Sequence, residues 1–228
     1  MATRTVFVTG TDTGVGKTWI AAAILHAAGQ TGLRTIGLKP LAAGCNGTRD
    51  GLPVNEDAAI INEAATVRQS YAVVNPWLLE RAIAPHIAAH EEGVELSAAD
   101  LAEHCRSVQT AGVDLIVIEG AGGWLVPLSD AETMADFGAR LGAPVILVVD
   151  MKLGCLNHAL LTAAVIDATG LRLAGWVANC TGSEMEAADA NVETLTARLD
   201  APLLGRVPRV DSPAAAAAYL DIRRILDD

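Results

Sequence analysis

Residues 5–18 read TVFVTGTDTGVGKT, and this stretch decides the fold. Five strand-forming residues, Thr5 to Thr9, run into a glycine-rich turn that ends in Gly16-Lys17-Thr18. An Ala-rich helix is expected to follow. The P-loop pattern is G-x-x-x-x-G-K-[ST], set between a strand and a helix. Here Thr11 stands where the first glycine belongs, and Gly10 lies one residue early. In such a loop consecutive N–H groups curl round a phosphate, and the following helix points its positive end at it. Lys17 is expected to neutralise β- and γ-phosphate oxygens, and the Thr18 hydroxyl to ligate Mg²⁺.

Outward from this loop, apolar runs alternate with helical patterns. Strands are expected at 5–9, 34–38, 114–118, 144–149, 173–178 and 202–207. Helices are expected at 19–30, 56–65, 97–110, 132–141, 156–169, 184–199 and 213–226. Residues 71–93 read as irregular, broken by Pro76 and Pro85. Apolar runs without alternation imply strands covered on both faces, hence a mostly parallel sheet in one α/β domain spanning 1–228. Ligands bind such sheets where the strands end. The loops after Thr9, Leu38, Ile118, Val149 and Ala178 are therefore the ones to inspect.

The chain carries a net charge of −11, which argues against nucleic-acid or anionic-membrane binding. It has no apolar run long enough to span a bilayer, and its four cysteines show no C-x-x-C pair. A reducing cytoplasm is the expected location. Only three lysines occur: Lys17, Lys39 and Lys152. All three fall in loop-like motifs.

Lys39-Pro40 ends the second strand, where a compact charge suits an anion developing in a transition state. Its alternative is a solvated strand-end lysine. Glu119 ends an apolar strand before Gly120-Ala121-Gly122-Gly123, the place of a second Mg²⁺ ligand beside a P-loop. Asp57 sits in the first turn of a helix; on position alone it is a favourable charge at the dipole's positive end. Asn179-Cys180-Thr181-Gly182 follows a strand where GTPases place Asn-Lys-x-Asp. Cys180 and Gly182 fill the Lys and Asp places, which argues for adenine over guanine, with a simple turn as the alternative. Lys152 to Asn157 precede an apolar helix. Cys155 there is either a reactive thiol or a packed small residue.

The segments TGTDTGVGKT (9–18), Lys39 to Gly44, EGAGGW (119–124), KLGCLNH (152–158) and GWVAN (175–179) together resemble dethiobiotin synthetases. The matches run through nearly the whole chain. The resemblance implies a P-loop NTPase fold and a homodimer. It further implies closure of a ureido ring from 7,8-diaminononanoate, CO₂ and MgATP by way of a phosphorylated carbamate. By this resemblance Lys39 and Lys17 are catalytic, and Thr18, Asp57 and Glu119 hold Mg²⁺. Thr13, Gly14, Val15, Gly16, Lys17 and Thr18 bind phosphates, with Gly120, Ala121 and Gly122 nearby. Asn179, Cys180, Val207, Pro208 and Arg209 hold adenine. Thr13, Lys39, Ala43, Gly154, Cys155 and Asn157 meet the diamine, the last three across the dimer. Two positions depart from the family: Ala43 replaces the usual Ser or Thr, and Gly14 stands where some relatives carry Glu. The competing reading is a partitioning-type nucleotide switch acting on a protein partner. Such proteins usually carry an extra lysine early in the loop, where this chain has Thr11 and Asp12.

Overall fold

A computed structural model describes residues 3–49, 51–182 and 185–226. Its ten strands are β1 (Arg4–Gly10), β2 (Thr35–Leu38), β3 (Leu41–Ala43), β4 (Gly47–Arg49), β5 (Leu52–Val54), β6 (Trp77–Leu79), β7 (Leu115–Glu119), β8 (Val145–Asp150), β9 (Leu173–Asn179) and β10 (Leu203–Val207). Between them run α1 (Lys17–Gln30), α2 (Glu56–Ala64), α3 (Tyr71–Val74), α4 (Pro85–Glu92), α5 (Ala98–Ser107), α6 (Met134–Leu141), α7 (Cys155–Ala168) and α8 (Ala188–Arg198). The chain closes with α9 (Pro213–Ala216), a 3₁₀ turn (Ala217–Tyr219) and α10 (Arg223–Leu226).

Six strands form one parallel sheet in the order β10-β9-β8-β1-β7-β2. The central strands are buried along their length, as unbroken apolar runs require. Helix α1 lies in the core on one face, with Ile20, Ile24, Leu25 and its alanines fully covered. Its small side chains let α2 and α9 approach closely. The other face packs α4, α5 and α6 around Phe7, Phe137 and Trp124. Strand order places β1 between β7 and β8. The loop after β1 thus opens at the sheet's switch point, where both neighbouring strands also deliver their C-terminal ends.

Three expectations are corrected. Residues 71–93 contain α3, β6 and α4. Pro85 takes the first turn of α4, where its missing N–H is not needed, so it starts a helix that sequence reading had it break. The expected helix at 213–226 divides at Leu220, whose backbone is extended and bridges Gly205 on the sheet edge. Asp221 N–H donates to the Leu204 carbonyl at 2.7 Å. Only glycine fits at 205, since an added Cβ would lie 2.1 Å from the Tyr219 carbonyl oxygen. The five alanines keep to α9 and the 3₁₀ turn; the break comes after them, at Leu220, where the chain covers the open edge of β10. The expected helix at 184–199 begins at Ala188; Glu184 lies outside the described residues.

Candidate active site

The loop from Gly10 to Gly16 is shaped by two close approaches. A Cβ at Gly10 would meet Val15 Cγ2 at 2.5 Å and Lys17 Cγ at 3.0 Å. Gly10 therefore fills the role that the shifted motif denied to Thr11. Gly16 has φ +89°, and a Cβ there would lie 2.2 Å from Asn179 Nδ2. That amide nitrogen donates to the Val15 carbonyl at 2.8 Å, so buried Asn179 ties the end of β9 to the phosphate loop. Gly14, φ +77°, faces open space.

Lys17 begins α1 with its side chain almost buried, and its Nζ donates to the Asp12 carbonyl at 2.8 Å. Burial pulls its ammonium down to about 8 from the ordinary 10.5; Glu119 counters this and Lys39 adds to it. A buried cation held mainly by a neutral carbonyl is poised for an incoming anion.

Two side chains converge on Glu119, which is 1% exposed, and a third reaches one of them. Thr18 Oγ1 donates to its Oε1 at 3.0 Å, and Lys39 Nζ donates to the same oxygen at 2.8 Å. Asp57 Oδ2 lies 3.6 Å from Lys39 Nζ, with its side chain half exposed. Burial alone would lower the Lys39 value, but Glu119 and Asp57 outweigh it and hold the ammonium above the ordinary value. Glu119 Oε2 is buried without a hydrogen-bond partner. A solvated strand-end lysine is excluded by this geometry.

An orphaned carboxylate oxygen, a second carboxylate and a threonine hydroxyl form a hard oxygen set that fits a magnesium ion. Among the described residues no three His, Cys, Asp or Glu gather as a preformed cage.

These groups line one cavity of about 680 Å³. Thr13, Gly14, Gly16, Lys17 and Thr18 form one wall; Lys39, Ala43, Asp57, Glu119, Ala121 and Gly122 contribute to the others. Val15 and Gly120 sit behind it, Gly120 beneath the Phe7 ring. Ala43 presents only a methyl group where a hydroxyl was expected. A second cleft, of about 240 Å³, shares Gly16 and Trp19 with the first and adds Asn179, Cys180, Pro208 and Arg209. Val207 is buried and borders a further cavity on the far side of Pro208.

Gly154, Cys155 and Asn157 line neither of the first two spaces. Burial raises the Cys155 thiol, so this residue is a packed small side chain and not a reactive thiolate. Sequence reading gave no site role to Asn55, residues 82–85, Val126 and Pro127, which also line the large cavity, or to Trp19 between the two. Asn55 was discoverable as a helix N-cap ahead of Glu56-Asp57.

Known proteins bring this geometry into a family context. A family model described as an AAA domain matches residues 4–216. The ATP-dependent dethiobiotin synthetase BioD of Pseudomonas paraeruginosa (strain DSM 24068 / PA7) is 51% identical over 219 residues, covering 95% of this chain and 96% of its own. The same-named protein of Cellvibrio japonicus (strain Ueda107) is 49% identical over 229 residues, covering all of both chains. Among solved structures, the septum site-determining protein MinD of Pyrococcus horikoshii OT3, complexed with Mg-ADP, has a TM-score of 0.58 at 17% identity, over 100% of this chain and 90% of its own. Cobyrinic acid a,c-diamide synthase of Mycobacterium smegmatis, with bound ATP analog and magnesium, has a TM-score of 0.58 at 20% identity, over 95% of this chain and 91% of its own. At such identities the likeness to these two shows the fold alone.

Proposed function

The chain belongs to the ATP-dependent dethiobiotin synthetase family, and on that premise we propose how its own residues carry out the reaction. The activity is ATP-dependent formation of dethiobiotin in biotin biosynthesis. The observation that carries the residue-level reading is the meeting of Lys39 and Thr18 on buried Glu119, with Asp57 beside Lys39, inside a cavity walled by the phosphate loop.

One amine of 7,8-diaminononanoate adds to CO₂ and loses a proton, giving a carbamate. A carbamate oxygen then attacks the γ-phosphorus of ATP, and the bond to the ADP oxygen breaks. The second amine attacks the carbonyl carbon of the resulting carbamic–phosphoric anhydride. Phosphate leaves, a proton is lost and the ring closes. The carbamate is already an anionic nucleophile, so the site needs no strong base. It needs two repelling anions held in line, which is a matter of positioning and charge.

Lys17 supplies a buried cation for the β- and γ-phosphates, and Lys39 a second cation for the transferring group. Thr18, Asp57 and Glu119 would hold Mg²⁺, which when bound neutralises charge on the phosphate oxygens. Asn179, by fixing the Val15 carbonyl, holds the phosphate loop in shape; with Cys180, Pro208 and Arg209 it borders the cleft that takes the base. Thr13 and Ala43 border the space left for the diamine.

The reading includes one domain, a cytoplasmic location, no nucleic-acid or membrane partner, and a homodimer in which Gly154, Cys155 and Asn157 serve the neighbour's substrate. Two facts support the dimer. Apolar helix α7 leaves Leu161 59% exposed, and Leu153 just before it is 96% exposed. No helix among the described residues is long and apolar enough to cross a membrane.

The test is direct. Purified protein is given the diamine, bicarbonate and MgATP, and products are identified by mass. Phosphate release that requires the diamine, with a cyclic urea as product, is expected. ATP turnover indifferent to the diamine would favour the nucleotide-switch reading.

A further inference from the structure

Lys39 lies outside regular structure, between β2 and β3, so the aim of its side chain depends on what fixes its backbone. One short segment holds both of its main-chain groups. The Lys39 N–H donates to the Val74 carbonyl at 3.0 Å, and its carbonyl accepts from Asn75 Nδ2 at 2.7 Å. Asn75 Oδ1 accepts from the Tyr71 hydroxyl at 2.9 Å. That same hydroxyl accepts from the Asn55 N–H at 2.6 Å.

Asn55 is the N-cap of α2, two residues ahead of Asp57. Its Oδ1 accepts from the Ala58 N–H at 3.2 Å, and its Nδ2 donates to the Gly44 carbonyl at 2.8 Å. Asn55 and Asn75 are both buried. An unbroken chain of hydrogen bonds thus joins the Lys39 carbonyl to the first turn of the helix that carries Asp57.

We propose that Tyr71 is a positioning residue for phosphoryl transfer: its hydroxyl locks the Lys39 backbone to the start of α2 and so fixes the Lys39–Asp57 spacing. The proposal rests on the reading of Lys39 as the cation that faces the transferring group. A phenol suits the task because it donates and accepts at once on a rigid ring. Burial raises the Tyr71 hydroxyl above its ordinary value, so its donor proton is retained throughout the neutral range. Tyr71 does not border the cavity, and its effect is exerted through other residues. Sub-ångström placement matters here, since a misplacement of about 1 Å can cost about 100-fold in rate.

The test uses Tyr71→Phe, which keeps the ring, and Asn75→Ala, which cuts the same chain at its next link. Rates of diamine-dependent phosphate release are normalised to ATP-binding sites counted by calorimetry, so partly unfolded protein does not mimic the effect. Each variant is expected to lose about tenfold or more in kcat, with ATP affinity held within about twofold. Because both cut one chain, the double variant should lose no more than the worse single variant. A wild-type kcat in Tyr71→Phe, or losses that multiply in the double variant, would overturn the proposal. Lys39→Ala is assayed alongside. If it too keeps wild-type turnover, the assignment of Lys39 fails and takes the positioning role with it. If Lys39→Ala is dead while Tyr71→Phe is unchanged, the positioning role alone is wrong.

Discussion

The Lys39 ammonium lies 2.8 Å from Glu119 Oε1, and both side chains are buried. Removing one partner of a buried ion pair strands the other charge, which typically costs about 3–5 kcal/mol. Asp57 is too exposed to replace Glu119 in full. Glu119→Gln should therefore lower unfolding stability by about 3 kcal/mol and abolish diamine-dependent turnover. A urea midpoint equal to that of the unaltered protein would show that the pair contributes nothing to the fold.

The two left-handed glycines of the phosphate loop should respond differently. Gly16→Ala drives a methyl group into Asn179 Nδ2, so ATP binding measured by calorimetry should vanish. Gly14→Ala meets only open space; it bears the left-handed penalty of about 1–2 kcal/mol and should still bind ATP. Equal losses in both would mean that backbone strain, and not the contact with Asn179, governs the loop.

Removing the Asn179 amide leaves the buried Val15 carbonyl without its donor. The expected cost is about 1–3 kcal/mol, which for Asn179→Ala reads as roughly a five- to 150-fold rise in the ATP dissociation constant. An unchanged constant would mean that the loop holds its shape unaided.

Cys105 gives a pH signature separate from the active site. Burial pushes its thiol up to about 12 from the ordinary 9.0, with Arg106 opposing. Between those values the unfolded chain has lost the proton and the folded chain keeps it. The folded state then binds more protons, so stability falls as pH rises from about 9 to about 12. The slope approaches about 1.4 kcal/mol per pH unit. Cys105→Ala should remove this component from the denaturation midpoint plotted against pH. Parallel curves for the two proteins would contradict the burial argument.

Leu161→Glu places a charge on the exposed apolar face of α7. Sedimentation should show a dimer for the unaltered chain and a monomer for the variant, with ATP binding kept. A monomeric unaltered chain would remove the dimer from the account.

The phosphate loop and the six core strands were legible because both are written in local pattern: unbroken apolar runs, and glycines at set offsets before Lys17-Thr18. Lys39 and Glu119 were legible as strand ends beside that loop. Their hydrogen bond was not, because it spans 80 residues and depends on β2 lying next to β7. Tyr71 and Asn75 were invisible for a related reason: beyond their bond to each other, their partners are the backbone groups of Asn55 and Lys39, and a backbone group carries no residue code. The split at Leu220 escaped because the helical pattern that is right for the alanines runs on to Leu226, while the contact that breaks it, with Gly205 on the sheet edge, depends on which strand lies at that edge. Ala43 was noticed only through the family resemblance.

The proposed role of Lys39 on the transferring phosphoryl group is tested most directly by Lys39→Ala, with turnover and nucleotide binding measured side by side. The expected result is a loss of about 100-fold or more in diamine-dependent phosphate release, with the ATP dissociation constant within about threefold of the unaltered enzyme. Full turnover in the variant, or an equal collapse of ATP affinity and rate, would contradict it.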